Sequence, residues 1–315
     1  MISPTGRADA HAGPAREYVI FQIDAFTTRR FEGNPAGVVI DARGLTDAEM
    51  QVIAREMNNS ETAFVLPPDA ADHDVRVRYF TPSVEVPFCG HATVAAHYAR
   101  ALTGQLTSGR TRQKCLAGII DVLVEQSDAD YRVSLTQFPP AFEAPLARVT
   151  VEAIIGAVGG DIADLRDDCP VQVVSTGHSK VLVGLRSREA LARLTPDAGR
   201  LTALSREIGS NGYHFFTIGA VEPGVLTTCR MFAPAIGVLE DPVTGNGNGP
   251  LGAYLVRHHL VDHPRDGELT FRSAQGHAVH RPGIAEVTVT IEGGQPTRTR
   301  VAGSAVLVFS ATISL

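Results

Sequence analysis

Between positions 18 and 26 the side chains alternate, with Val19, Phe21, Ile23 and Ala25 on one face and Ile20 breaking strict order, so the segment predicts a half-buried strand. A polar turn at Gly33, Asn34 and Pro35 leads into a second strand over 36–40. The period then lengthens. Ala48, Met50, Val52, Ile53 and Met57 fall partly at helical spacing, which predicts a helix over 47–57; Thr46 is its N-cap, and Glu49 three residues on completes a capping box. Strands are expected at 63–66 and 75–80, a loop at 81–88, a helix from Gly90–His91 onward, and strands near 119–125 and 131–136. The proline-rich stretch 139–145 reads as a linker.

The second half repeats much of this order. Helices are expected at 151–156, at 187–194 with Ser187 as N-cap, and at 201–208; strands are expected at 171–175, 180–183, 213–218 and 226–232. A glycine-rich loop then opens a helix near 250–258, with Pro250 at an early helical position where a missing N–H costs little. The tail 268–315 reads as several strands, clearest at 286–292 and 304–312. Three matches support a duplication: Arg78-Tyr-Phe-Thr-Pro82 over Arg230-Met-Phe-Ala-Pro234 (230 − 78 = 152), Pro87–His91 over Pro242–Asn246 (242 − 87 = 155), and Asp24–Thr27 near Val173–Thr176 (173 − 24 = 149). Two similar α/β halves with a ligand cleft between them are expected. We assign residues 1–16 to a disordered leader, 17–138 to the N-terminal half, completed by a C-terminal strand at 304–315, and 139–303 to the C-terminal half.

Composition narrows the function. In 315 residues there are 28 basic and 34 acidic side chains, a net charge of −6, which argues against a nucleic-acid surface. The absence of Trp and an aromatic share of 6% argue against base-stacking platforms. No apolar run is long enough to span a membrane, and the first 16 residues lack the apolar core of a signal peptide, so a cytoplasmic location is expected. Cys89, Cys115, Cys169 and Cys229 form no CxxC pair, and His258–His259 has no partners at metal-ligand spacing, so reduced thiols and no zinc site are expected.

The candidate chemistry gathers at two helix starts, Cys89-Gly90-His91 and Thr244-Gly245-Asn246, where small residues leave backbone N–H groups uncovered. Such donors, with the helix dipole, suit a carboxylate or phosphate, although each is equally readable as a tight strand-to-helix turn. Glu61, at the entrance of an apolar strand, is either a solvated loop charge or a cleft carboxylate able to take a proton from carbon; its counterpart in the second half falls near His214. His91 reads as a cap, a packing residue or an acid–base group, and Asp241 before Pro242 as a turn former or a second cleft acid. Cys89 is matched by Thr244, a poor base, which disfavours a symmetric two-thiol racemase. A Cys89-dependent epimerase or dehydratase, or a non-catalytic binder of small molecules, remains an alternative.

Taken in order, Asp24-Ala-Phe-Thr27, Gly33-Asn-Pro-Ala-Gly-Val-Val39, Asn59-Ser-Glu-Thr62, Phe80-Thr-Pro82, Phe88-Cys-Gly-His-Ala-Thr93, Ser175-Thr-Gly177 and Glu240-Asp-Pro-Val-Thr-Gly245 resemble the phenazine-biosynthesis isomerase (PhzF-like) family. That family lies within the diaminopimelate-epimerase-like superfamily. The resemblance implies an α+β fold of two similar domains, each a mixed sheet rolled around a central helix, usually in a homodimer, with no metal or organic cofactor. It places the catalytic carboxylate at Glu61, its helpers at His91 and Asp241, and backbone donors for an anionic substrate at Gly90 and Gly245. In the characterised member that the chain resembles, the glutamate shuttles a proton between carbons of trans-2,3-dihydro-3-hydroxyanthranilate. Asn246 stands where the family commonly has Ser, which alters the carboxylate side of the pocket. The expected protein is a PhzF-like isomerase acting on a small carboxylate, with no nucleic-acid or membrane partner.

Overall fold

The computed structural model describes residues 16–127, 130–219 and 223–315. The first half runs β1 (Glu17–Ala25), β2 (Asn34–Val39), α1 (Asp47–Met57), β3 (Thr62–Leu66), β4 (Val75–Phe80), the short β5 (Glu85–Val86) and α2 (Gly90–Leu102). A meander of β6 (Gly109–Cys115), β7 (Gly118–Ser127) and β8 (Asp130–Thr136) follows. The second half begins with β9 (Ala141–Pro145), α3 (Arg148–Ala157), β10 (Gln172–Ser175), β11 (Ser179–Gly184), α4 (Arg188–Ala192) and α5 (Ala198–Ile208). It ends with β12 (Tyr213–Ile218), β13 (Val225–Ala233), β14 (Val238–Asp241), α6 (Gly245–Arg257), β15 (Gly267–Gln275), β16 (Gly283–Glu292) and β17 (Gln295–Ser314).

The ladders of the two halves match. In the first, β1 is antiparallel to β2, β2 parallel to β3, β3 antiparallel to β4, and β4 parallel to β6, which leads the antiparallel β6–β7–β8 meander. In the second, β10, β11, β12, β13, β15, β16 and β17 repeat that series of antiparallel and parallel pairings. The long β17 pairs with β8 near its start and with β1 at its end, from Ala305 opposite Ala25 to Ser314 opposite Glu17, which closes the first ring. In turn β9 pairs with β10. The first half thus receives the end of β17 from the second. Each mixed sheet wraps a central helix, α2 or α6, as expected for the diaminopimelate-epimerase-like fold.

Both helices are buried because their side chains are small and apolar almost all round, the pattern of a core helix rather than an amphipathic one. Ala92, Val94, Ala95, Ala96 and Ala99 of α2 pack with Ile23, Val38, Val77, Val122 and Leu135. Leu251, Tyr254 and Leu255 of α6 pack with Leu182, Phe216, Val287 and Val289. The outer helix α1 keeps the expected bounds, and Thr46 and Glu49 form the capping box reciprocally.

Several elements differ from the sequence reading. Stretch 139–145 is mostly the strand β9 beside β10, with Pro139 and Pro140 ahead of it and Pro145 as its last residue. Helix α6 starts at Gly245, not near 250, and Pro250 lies inside it. The glycines that made this stretch look like a loop are there for contact: a Cβ at Gly249 would fall 1.7 Å from Oε1 of Gln137, and one at Gly252 would fall 2.7 Å from Val287. Strand β6 was not expected, since its inward positions are the polar or sulfur-bearing Thr111, Gln113 and Cys115. Gln113 is satisfied in the core, donating to the Tyr79 hydroxyl (2.7 Å) and meeting His97 Nε2 (2.9 Å). The leader assigned to 1–16 lies outside the described residues except for Arg16, whose backbone pairs with Leu315.

Candidate active site

The starts of α2 and α6 meet between the halves: an added Cβ on Gly90 would lie 3.6 Å from the Cα of Gly245. Neither N-cap residue, Cys89 or Thr244, makes a side-chain cap, whereas α1, α4 and α5 are capped by Thr46, Ser187 and Asp197. The first-turn N–H groups of both helices, with the positive ends of their dipoles, therefore face a shared cavity of about 60 Å³. All six residues singled out in the sequence (Glu61, Gly90, His91, Asp241, Gly245 and Asn246) line it. A larger cleft of about 620 Å³, lined by Phe26, Arg132, Gly283 and Glu286 among others, contains none of them.

Glu61 is delivered by the loop after α1. That helix ends on Asn58 in the left-handed conformation, and Asn59 locks the loop to β1 through paired amide bonds with Gln22 (2.8 and 3.0 Å). The Glu61 side chain is 13% exposed, and its Oε2 lies 3.4 Å from His91 Nε2. His91 is the second residue of α2; Ser60 Oγ approaches Nε2 at 3.3 Å and Cys89 Sγ approaches Nδ1 at 3.4 Å. Burial pushes the Cys89 thiol up, and the carboxylates of Glu61 and Asp241 push it further, so the thiol stays protonated.

Asp241 ends β14 and is buried, with 6% of its surface exposed at the cavity wall. Asn34 Nδ2 donates to Oδ1 (2.7 Å) and Thr244 Oγ1 to Oδ2, while Gln275 Nε2 donates to its backbone carbonyl (2.8 Å). Burial raises its pKa and repulsion from Glu61 adds to the rise; His91 opposes it. Gln137, from the first half, donates to the carbonyl of Gly245 (3.0 Å) and so ties the start of α6 to the strand β8 side of the cleft.

The ladders sharpen one assignment. Thr62 lies opposite Phe80, and Tyr213 lies opposite Phe232, so the counterpart of Glu61, expected near His214, is Gly212. Lys180 fills that place: a Cβ on Gly212 would meet its Cδ at 2.7 Å. Lys180 and His178 line the cavity too, and the sequence reading missed both. In the sequence Lys180 reads only as the first residue of a strand over 180–183; in the structure it is buried with the run that follows it.

Glu61, Cys89 and His91 each offer a ligand atom, and these atoms lie within 4.8 Å of one another, a grouping no sequence spacing revealed. The same atoms form a carboxylate–imidazole pair suited to moving a proton.

Comparison with known proteins agrees with the resemblance in the sequence. The family model described as phenazine biosynthesis-like protein matches residues 23–311. The uncharacterized isomerase YddE of Escherichia coli K12 is 50% identical over 294 residues, covering 93% of this chain and 97% of that one. The trans-2,3-dihydro-3-hydroxyanthranilate isomerase of Pseudomonas chlororaphis is 36% identical, covering 95% and 99%. Among solved structures, a PhzF-family phenazine biosynthesis protein of Bacillus anthracis superposes with a TM-score of 0.85 at 31% identity, covering 95% and 99%. A hydroxyproline epimerase of Agrobacterium vitis shares the fold, with a TM-score of 0.62 at 15% identity, covering 95% and 93%.

Proposed function

The chain belongs to the phenazine biosynthesis-like protein family and is an isomerase, and from that premise we propose that it moves a proton between two carbons of a small carboxylate-bearing substrate. Glu61 is the carrier. Its carboxylate takes a proton from an activated carbon, leaving the electron pair delocalised toward the substrate's unsaturated or carbonyl system. The resulting carboxylic acid returns the same proton to a second carbon, so the double bond shifts and nothing is gained or lost. His91 and Asp241 position polar groups of the substrate, and the N–H groups at Gly90, Gly245 and Asn246 hold its anionic end. The reaction as written calls on no metal or organic cofactor.

The observation that carries this reading is the 3.4 Å contact of Glu61 with His91 at the mouth of two uncapped helix starts. The raised Cys89 pKa speaks against the thiol as the base of an epimerase. The test incubates the protein in D₂O with trans-2,3-dihydro-3-hydroxyanthranilate, the compound named for the Pseudomonas chlororaphis relative, and with a panel of small unsaturated carboxylates. Isomerisation with deuterium at carbon, kept in Cys89→Ser and lost in Glu61→Gln, is the expected result. Loss in Cys89→Ser with retention in Glu61→Gln would transfer the role to the thiol, and no exchange by the wild type with any compound would favour a binder.

A further inference from the structure

Lys180 is an ammonium group sealed into the cleft. The residue is only 3% exposed, yet it lines the same cavity as Glu61 and Asp241. Its Nζ meets His178 Nδ1 at 2.7 Å and donates to the carbonyl of Ser179 at 3.1 Å, which occupies two of its three N–H groups. No carboxylate among the described residues lies within 4.0 Å of it. A buried charge is costly unless it is paired, and an ammonium with no ion pair at contact distance leaves room for an anionic ligand to complete one.

The surroundings hold this group in place. Its methylenes lie across Gly212, where a side chain would displace them. His178 is held unprotonated, its pKa pushed down to about 4 mainly by the adjacent ammonium, so it accepts from Lys180 rather than competing with it. Burial lowers Lys180 itself to about 8, against the pull of Asp241 and Glu61, and it remains charged at neutral pH.

We propose that Lys180 is a second anion-binding point of the cleft and makes a small dicarboxylate the preferred substrate class. This rests on the reading that the helix starts hold the first carboxylate: one acidic group sits at Gly90, Gly245 and Asn246, the other pairs with Lys180, and the reacting carbons lie between them beside Glu61. A positive group is needed for this because Glu61 and Asp241 already place negative charge in the same small space.

The test is calorimetric titration with maleate and with isocrotonate, the cis acid in which a methyl group replaces one carboxylate. Wild-type protein is expected to bind maleate at least about tenfold more tightly. Lys180→Met, close in volume and free of charge, is expected to remove that preference by weakening maleate far more than isocrotonate, while Lys180→Arg keeps part of it. The groups around Lys180 that titrate or carry charge are His178, His214, Glu61 and Asp241. His178 and His214, pushed down to about 4 and about 3, are already neutral, so maleate binding is expected to weaken as pH rises through about 8. Equal binding of the two acids by wild type, no measurable binding of maleate, or an undiminished preference in Lys180→Met would overturn the proposal. The outcome separates from the mechanism: maleate preference lost in Lys180→Met while Glu61→Gln keeps full turnover would retain this site and discard the role of Glu61.

Discussion

Arg78 and Arg230 are placed alike in the two halves. Each makes a bidentate pair with a glutamate, Glu85 at 2.7 and 2.7 Å and Glu240 at 2.9 and 2.7 Å, and each lies over a phenylalanine, Phe80 at 5.1 Å and Phe232 at 5.0 Å. Counting outward from those anchors sets the cleft residues in pairs: Val86 against Asp241, Cys89 against Thr244, Gly90 against Gly245, His91 against Asn246, and Glu61 against Gly212. The scaffold positions agree, down to the glycines where the helices touch. The positions with titratable side chains do not. A duplicated frame has kept its clasp in both copies, while the first half keeps Glu61 and His91 and the second keeps Asp241 and, from β11, Lys180.

Substitutions that make the halves more alike at the cleft should therefore remove function without unfolding the protein. Asp241→Val, which copies Val86, is expected to lower turnover about a thousandfold, and His91→Asn, which copies Asn246, about a hundredfold, in a steady-state isomerase assay. The clasps should behave the opposite way and report stability. The Arg230–Glu240 pair is more enclosed (10% side-chain exposure on both partners, against 19% and 21%), and Arg230 also donates to the carbonyl of Leu194 (2.8 Å). Arg230→Met is expected to cost about 3 kcal/mol in denaturant unfolding and Arg78→Met about 2 kcal/mol. Equal costs would mean the two clasps are equally buried in energetic terms.

A subtler effect concerns Asp241. Its carboxyl titrates above its unfolded value because of burial, so folding favours the protonated form. The carboxyl is least unfavourable to stability at low pH, and its ionisation penalty accrues as pH rises from the unfolded pKa through the folded one. Asp241→Asn should accordingly raise stability at neutral pH, with the gain shrinking as pH falls, while activity falls. Melting curves of both proteins across that range check the sign. The smallest effect is expected for Cys89→Thr, which copies Thr244: less than about tenfold in turnover, because the thiol is held neutral.

Much of this was legible in the chain. Helix α1 and its capping box followed from Thr46, Glu49 and the apolar spacing, and the repeat was visible because Arg78 and Arg230 lie in pentads that share three of five residues. Strand β6 was hidden because a core position can be filled by a glutamine once Tyr79 and His97 satisfy it. The start of α6 was hidden because glycine normally weakens a helix, and only the packing of Gln137 and Val287 explains its use there. Lys180 was missed for the same kind of reason: nothing local shows that the chain folds over a lysine, and its burial is decided by Gly212 and His178 from tertiary contact.

The central claim is that the unmatched Glu61 carries the proton. It is tested most directly by following solvent deuterium into a substrate carbon by NMR, in wild type and in Glu61→Gln, with circular dichroism to verify that both are folded. The account predicts a loss of about a thousandfold in the exchange rate of the variant. Exchange by a folded Glu61→Gln within about tenfold of the wild-type rate would contradict it.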